Sequence, residues 1–147
     1  MSLPPAHALT AELGGLPTRI CCQLYSDYIF LVVSQLPTFG TLVESRATRN
    51  LDGKETVSIR TLLGERDNDI VALCARVVLE CIRADAAFAG GGEASPEGAA
   101  AGGGGGGGAA RLPILLGLGL RPENCTFEVV RELKSILESN RPWAKAS

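Results

Sequence analysis

From residue 18 onward apolar and polar side chains alternate, with Ile20, Cys22 and Leu24 on one side and Arg19, Cys21 and Gln23 on the other. A repeat of two is the signature of a half-buried strand. Ser26-Asp27 supplies a turn, and residues 28–36 follow, rich in β-branched and aromatic side chains. Here both alternating sets are apolar, Tyr28, Phe30 and Val32 against Ile29, Leu31 and Val33, which predicts a strand covered on both faces. Residues 37–40 make a loop. Residues 41–46 form a third strand, antiparallel because the connection is too short for a crossover. The Asp-Gly within residues 50–54 marks a turn into a fourth strand over residues 56–63.

After Gly64 the period changes. Ile70, Leu73, Cys74, Val77, Val78, Cys81 and Ile82 recur at helical spacing and form one apolar stripe. Asp67, Asn68 and Asp69 crowd the start of that helix, where they cap free amides and complement the dipole. Residues 88–110 are dominated by Gly, Ala, Ser and Glu, with unbroken glycine from 102 to 108, and read as a flexible insertion between elements. Residues 112–120 form another strand, with Ile114, Leu116, Leu118 and Leu120 on one face and Gly117 and Gly119 leaving the other bare. Arg121-Pro122 stops it. Asn124 or Thr126 then caps a helix through about residue 140, with Phe127, Val130, Leu133 and Leu137 as its buried stripe. Residues 1–15, with two prolines, the single histidine and a Gly-Gly pair, read as a flexible lead-in, and residues 141–147, with Trp143, as a tail. One domain over residues 16–140 is expected. Its class is α+β: a mainly antiparallel sheet of about five or six strands, two principal helices on one face, and the other face free for dimerisation.

Composition narrows the function. Of the 147 residues 46% are hydrophobic and 20% charged, with a formal net charge of −2, so no broad basic surface for nucleic acid is expected. No apolar run approaches the roughly 20 residues of a membrane-spanning helix. The first fifteen residues lack a basic and an apolar region in sequence, which predicts no secretory leader and a cytoplasmic or nuclear location. Five cysteines without CxxC spacing suit a reducing compartment and read as small core residues. The Asn124-Cys125-Thr126 sequon is then without consequence.

Candidate chemistry is sparse. Gly117-Leu118-Gly119 precedes a helix, but the third glycine of a dinucleotide fingerprint falls on Pro122. The glycine run has no Lys-Ser or Lys-Thr ending and is not a phosphate loop. With His7 in the lead-in, no histidine remains to serve as a general base. Glu44, Asp52, Glu55, Glu65, Asp67 and Asp69 fall in turns, at a helix start or on an exposed strand face, where carboxylates are usually solvated. No catalytic residue, metal ligand or cofactor site is expected, and the chain is read as a non-enzyme.

What remains is an excess of apolar surface. Two helices cover one face of the sheet, yet the second strand is apolar on both, and Leu42 and Leu62 point opposite to Val43, Ile59 and Leu63. The economical cover is a partner's sheet, stacked at about 10 Å. Periodicity does not say which set of the second strand meets the helices. The candidate interface is Phe30, Val32, Leu42 and Leu62, with Phe39 and Gly40 of the adjoining loop.

Leu16-Pro17-Thr18, the strand Ile29-Phe30-Leu31-Val32-Val33 followed by Ser34-Gln35, Gly40-Thr41-Leu42-Val43, Leu62-Leu63-Gly64 ahead of the long helix, and Leu115-Leu116 resemble, in order and spacing, the proteasome assembly chaperone 3 family. The resemblance implies a small α+β fold that dimerises with itself or with the paralogue called chaperone 4. It also implies an ATP-independent chaperone that binds α-type subunits and promotes formation of the 20S core particle's α-ring. The glycine-rich insertion, the proline-containing lead-in and the Trp143 tail depart from that pattern. A roadblock- or longin-type trafficking adaptor is the rival among binding proteins, and a small hydrolase the rival among enzymes.

Overall fold

The computed structural model describes residues 6–38, 40–64, 66–85 and 112–146. Six strands form one sheet: β1 (Ala6–Leu13), β2 (Leu16–Leu24), β3 (Ile29–Ser34), β4 (Thr41–Arg49), β5 (Glu55–Leu63) and β6 (Ile114–Gly119). The helices are α1 (Asp69–Ala84), α2 (Phe127–Asn140) and the short α3 (Pro142–Ala146), with a 3-10 turn at Pro122–Asn124. The fold is α+β, a six-stranded sheet with two principal helices. The glycine-rich insertion lies outside the described residues.

Strand order is β1-β2-β3-β6-β4-β5. β4 runs opposite to β3, as the short connection requires, but the two are not neighbours. β6 lies between them, parallel to β3 and antiparallel to β4. This follows from α1, which leaves β5, crosses the sheet above β4 and returns the chain parallel to β5 one strand further in. Being central, β6 is apolar throughout, and Pro113 stands just outside it, where its carbonyl accepts from the Ile29 amide at 3.0 Å.

Ile29, Leu31 and Val33 are fully buried, and with Ile20, Cys22, Val43, Ile114 and Leu116 they form the floor on which the helices pack. Burial of each large aliphatic side chain there stabilises the fold by about 1.5–3 kcal/mol. Asn68 caps α1, its Oδ1 accepting from the amides of Ile70 (2.9 Å) and Val71 (3.3 Å). The buried stripe of α1 is Val71, Cys74, Ala75, Val78, Leu79, Cys81 and Ile82, rotated from the expected one, so Ile70, Leu73 and Val77 lie half-buried on its flank. The rotation arises because α1 packs against both α2 and the sheet, which draws Val71, Ala75 and Leu79 inward. Thr126, not Asn124, caps α2. Phe127 at its first turn is exposed and Val129 takes its place in the core.

Two further expectations are corrected. Residues 6–13, read as part of a flexible lead-in, are β1, paired along its length with β2. The Gly-Gly pair is the hairpin turn: Gly14 and Gly15 have φ of 62° and 81°, the two positive values that a two-residue turn with the strands' own twist demands. A Cβ at Gly14 would lie 2.7 Å from the Asn124 side chain. Asn124 donates from Nδ2 to the Leu13 carbonyl and to Gln35 Oε1, and Gln35 Nε2 donates to Leu13 O and Thr18 Oγ1. One amide pair thus ties the turn to the end of β3 and to the 3-10 turn.

The presumed tail is α3. Trp143 is fully buried and α3 packs on β1 and β2. Asp85, at the end of α1, accepts from Arg141 Nε (2.7 Å) and Nη2 (2.8 Å) and from Trp143 Nε1 (2.7 Å). That bidentate pair holds Arg141 in its left-handed backbone conformation (φ 46°), which ends α2 and lets Pro142 begin α3.

Candidate docking surface

The register fixes which side chains share the sheet's other face. One row across it runs Ala8, Cys21, Val32, Gly117, Leu42 and Leu63, and the next runs Ala6, Gln23, Phe30, Leu115, Glu44 and Arg60. Phe30, Val32, Leu42, Leu115 and Cys21 are half-buried, and among the described residues neither principal helix packs over them. Periodicity left the orientation of β3 open; the structure turns Ile29, Leu31 and Val33 to the helices and Phe30 and Val32 to this face. The strand is therefore covered on one face, and its even positions are half-exposed, because both principal helices lie on the same side.

Of the expected interface, Phe30, Val32 and Leu42 come together here. Leu62 is 41% exposed, and Leu63, expected to point inward, is 59% exposed. The cause is a register irregularity between Leu42 and Val43, which sets Leu63 opposite Leu42. Gly40 lies in the β3–β4 loop, its amide donating to Leu118 O at 3.1 Å, and Gly64 with φ of 97° approaches its carbonyl closely. Phe39 lies outside the described residues. Sequence reasoning misses Leu115, which β6 brings in from a distant part of the chain, and Cys21, which composition alone assigns to the core. Alternation alone placed Cys21 with Arg19 and Gln23 and could have found it.

At the end of this face an open groove of about 810 Å³ is lined by Cys21, Val32, Ser34, Leu36, Pro37 and Leu63, among others. Along β4 and β5 the face turns polar. Glu44 receives Arg46 Nε at 3.2 Å and Arg60 Nη2 at 3.3 Å. The surface thus has an apolar centre and a charged flank, a pattern suited to protein contact.

Among the described residues no three of His, Cys, Asp and Glu gather as metal ligands. Burial pushes the thiols of Cys22 and Cys74 up to about 12 and that of Cys81 to about 11, which holds them protonated and unreactive at neutral pH. Cys21 and Cys125 are half-exposed, correcting the expectation that all five are core.

Residues 31–87, which span β3, β4, β5 and α1, match the family model described as proteasome assembly chaperone 3. The chain is similar to that family. The bovine proteasome assembly chaperone 3 is 33% identical over 79 residues and the mouse protein 30%, in each case across 52% of this chain and 64% of the relative. The aligned part thus spans just under two thirds of the curated relatives' length. The resemblance carried by Leu31 to Gln35, Gly40 to Val43 and Leu62 to Gly64 is borne out, while Leu16-Pro17-Thr18, Ile29-Phe30 and Leu115-Leu116 lie outside the family match. A solved structure described as a novel chaperone complex for yeast 20S proteasome assembly superposes with a TM-score of 0.60, covering 91% of this chain and 96% of that one at 10% identity. That likeness shows the fold of the chain.

Proposed function

We propose that the chain is a non-enzymatic, ATP-independent assembly chaperone that binds α-type subunits of the 20S proteasome and promotes formation of the α-ring. It acts in the cytoplasm, and in the nucleus as well, as a dimer with a related chaperone or with a second copy of itself. The observation that carries this reading is the half-exposed apolar face of Phe30, Val32, Leu42, Leu115 and Leu63 on a fold shared with proteasome assembly chaperones. A second sheet stacked on it removes those side chains from water, and the surplus over the entropy of association sets the affinity. Binding energy is the whole of the mechanism: a chaperone that holds one subunit in an orientation its neighbour can meet needs no covalent step and no nucleotide.

Sedimentation of the chain alone and with chaperone 4, followed by addition of purified α-type subunits, tests this. The expected result is a dimer, and a ternary complex with at least one subunit, formed equally with and without ATP. The reading is overturned if the chain stays monomeric in both mixtures and no subunit co-sediments.

A further inference from the structure

β4 pairs with β6 only from Thr41 to Ser45, whereas β4 and β5 stay paired as far as Arg49 and Glu55. Residues 46–58 therefore extend as a two-stranded ribbon past the end of β6. Its helix side is engaged: Ala47 and Val57 pack against the core, and Glu55 pairs with Arg83 of α1. Its other side carries Arg46, Thr48, Thr56, Ser58 and, where the ribbon joins the sheet, Arg60, with no apolar side chain among them. At its tip Leu51 is fully exposed in the turn closed by Asn50 and Lys54.

Two features make this more than a solvated hairpin. Arg46 and Arg60 share a single carboxylate, Glu44, whose side chain is only 15% exposed while theirs are 57% and 71% exposed, so the pair presents surplus positive charge with donors directed outward. Ser58 completes a shallow cradle with these three residues. This cluster stands on a chain whose net charge is negative, so the excess is local. The second feature is Leu51, a large aliphatic side chain held at a turn position where Asp, Asn and Gly are the usual occupants and where it gains nothing from its own fold. A phosphate-lined surface would use the arginines and leave Leu51 in water.

We infer that the β4–β5 ribbon is a second docking site, separate from the apolar centre of the sheet, and that it takes an acidic protein surface with carboxylates for the Arg46–Arg60 pair and an apolar socket for Leu51. This rests on the reading of the preceding section and deepens it. The apolar centre stacks with the related chaperone, and the ribbon, about 16 Å from cradle to tip at the rise of a strand, reaches the proteasome subunit. Guanidiniums offered in pairs to carboxylates supply orientation and encounter rate, and a leucine in a socket supplies residence time.

The test measures binding of purified α-type subunits to the dimer with chaperone 4, using wild type, the double variant Arg46→Gln/Arg60→Gln, and Leu51→Ser. All three sites are exposed, and unchanged circular dichroism and dimer sedimentation verify the fold. The double variant is expected to bind the subunit at least tenfold more weakly and to lose most of the salt dependence between 50 and 300 mM. Leu51→Ser is expected to weaken binding with its salt dependence intact. Subunit binding at wild-type affinity by both variants overturns the inference and leaves the proposed function standing. Absence of subunit binding by the wild type overturns both. Binding of the ribbon to phosphatidylserine vesicles or to a 20-base-pair duplex more tightly than to any subunit, abolished in the double variant, reassigns the arginines to phosphate and overturns it as well.

Discussion

The two faces of this sheet are built from the same strands with nearly the same residue types, and they behave differently. In β3 the inward set Ile29, Leu31 and Val33 is sealed under α1 and α2, while the outward set Phe30, Val32 and Ser34, one residue out of phase, is half in water. Hydrophobicity does not separate them. Coverage does, and coverage is decided by elements far away in sequence: α1, α2 and the final α3 all lie on one side. An apolar strand set is therefore a core or a docking surface according to where the helices go.

The largest expected difference comes from placing one carboxylate on each side. Leu31→Glu puts a charge beneath the helices with no partner, at a cost of several kcal/mol against a total stability of about 5–15, and it should yield an insoluble or unfolded chain. Phe30→Glu should leave a folded protein with native circular dichroism that no longer associates, because a carboxylate on this half-exposed face keeps its contact with water until a partner covers it. A folded Leu31→Glu protein would show that the helix side has been misassigned.

Next in size is the closure of the core face at β1 and β2. Asp85→Ala removes the acceptor of three hydrogen bonds, one from a fully buried indole, and takes from the half-exposed Arg141 guanidinium its bidentate carboxylate. Loss of about 2–4 kcal/mol is expected, read as a fall in Tm of roughly 8–16 °C. Below the new Tm the variant should associate through the other face as the proposed function requires of the wild type.

Much of this was legible in the sequence. Period-two alternation found β2 to β6, the change to helical spacing found α1, and the surplus of apolar positions foretold an open face. What escaped depended on distant contacts. β1 carries small side chains, Ala6, Ala8 and Ala11, that give weak alternation, although the Gly-Gly of its turn was a usable signal. α3 follows a proline and is only five residues long, so it is held by Trp143 and Asp85 and not by propensity. The insertion of β6 between β3 and β4 has no local signature, because only the handedness of the crossover through α1 dictates it. Leu63 was misplaced since a single register irregularity reverses every parity argument beyond it.

The thiols offer a milder contrast between the faces. At pH 8 Cys21 and Cys125, half-exposed, should react with a small alkylating reagent while Cys22, Cys74 and Cys81 stay protected until the chain unfolds. Burial is the main cause of the raised values, so the folded state retains protons that the unfolded chain releases. Stability is then constant up to about pH 9, where free thiols ionise, and falls as pH rises toward 12. For Cys22 and Cys74 the loss at pH 10 is roughly 1 kcal/mol each. Urea midpoints measured from pH 7 to 10 check this, and a midpoint that rises above pH 9 would contradict the burial of these thiols.

The smallest expected effect compares two hydroxyls on opposite faces of the paired strands β4 and β5. Ser45 lies on the core face of β4, between Val43 and Ala47, and its Oγ is buried with no hydrogen-bond partner among the described residues. Ser58 lies on the outward face of β5, opposite Arg46, in water. Removing a buried hydroxyl that lacks a partner relieves a desolvation cost of about 1–3 kcal/mol, and the cavity left by one oxygen beside Ile114 and Ile59 takes some of that gain back. Ser45→Ala should accordingly leave Tm unchanged or raise it by up to about 5 °C, whereas Ser58→Ala should stay within about 2 °C either way. Destabilisation by Ser45→Ala of more than about 1 kcal/mol would mean that the hydroxyl has an ordered partner, a buried water being the natural one, and that the core face is less dry than its side chains imply.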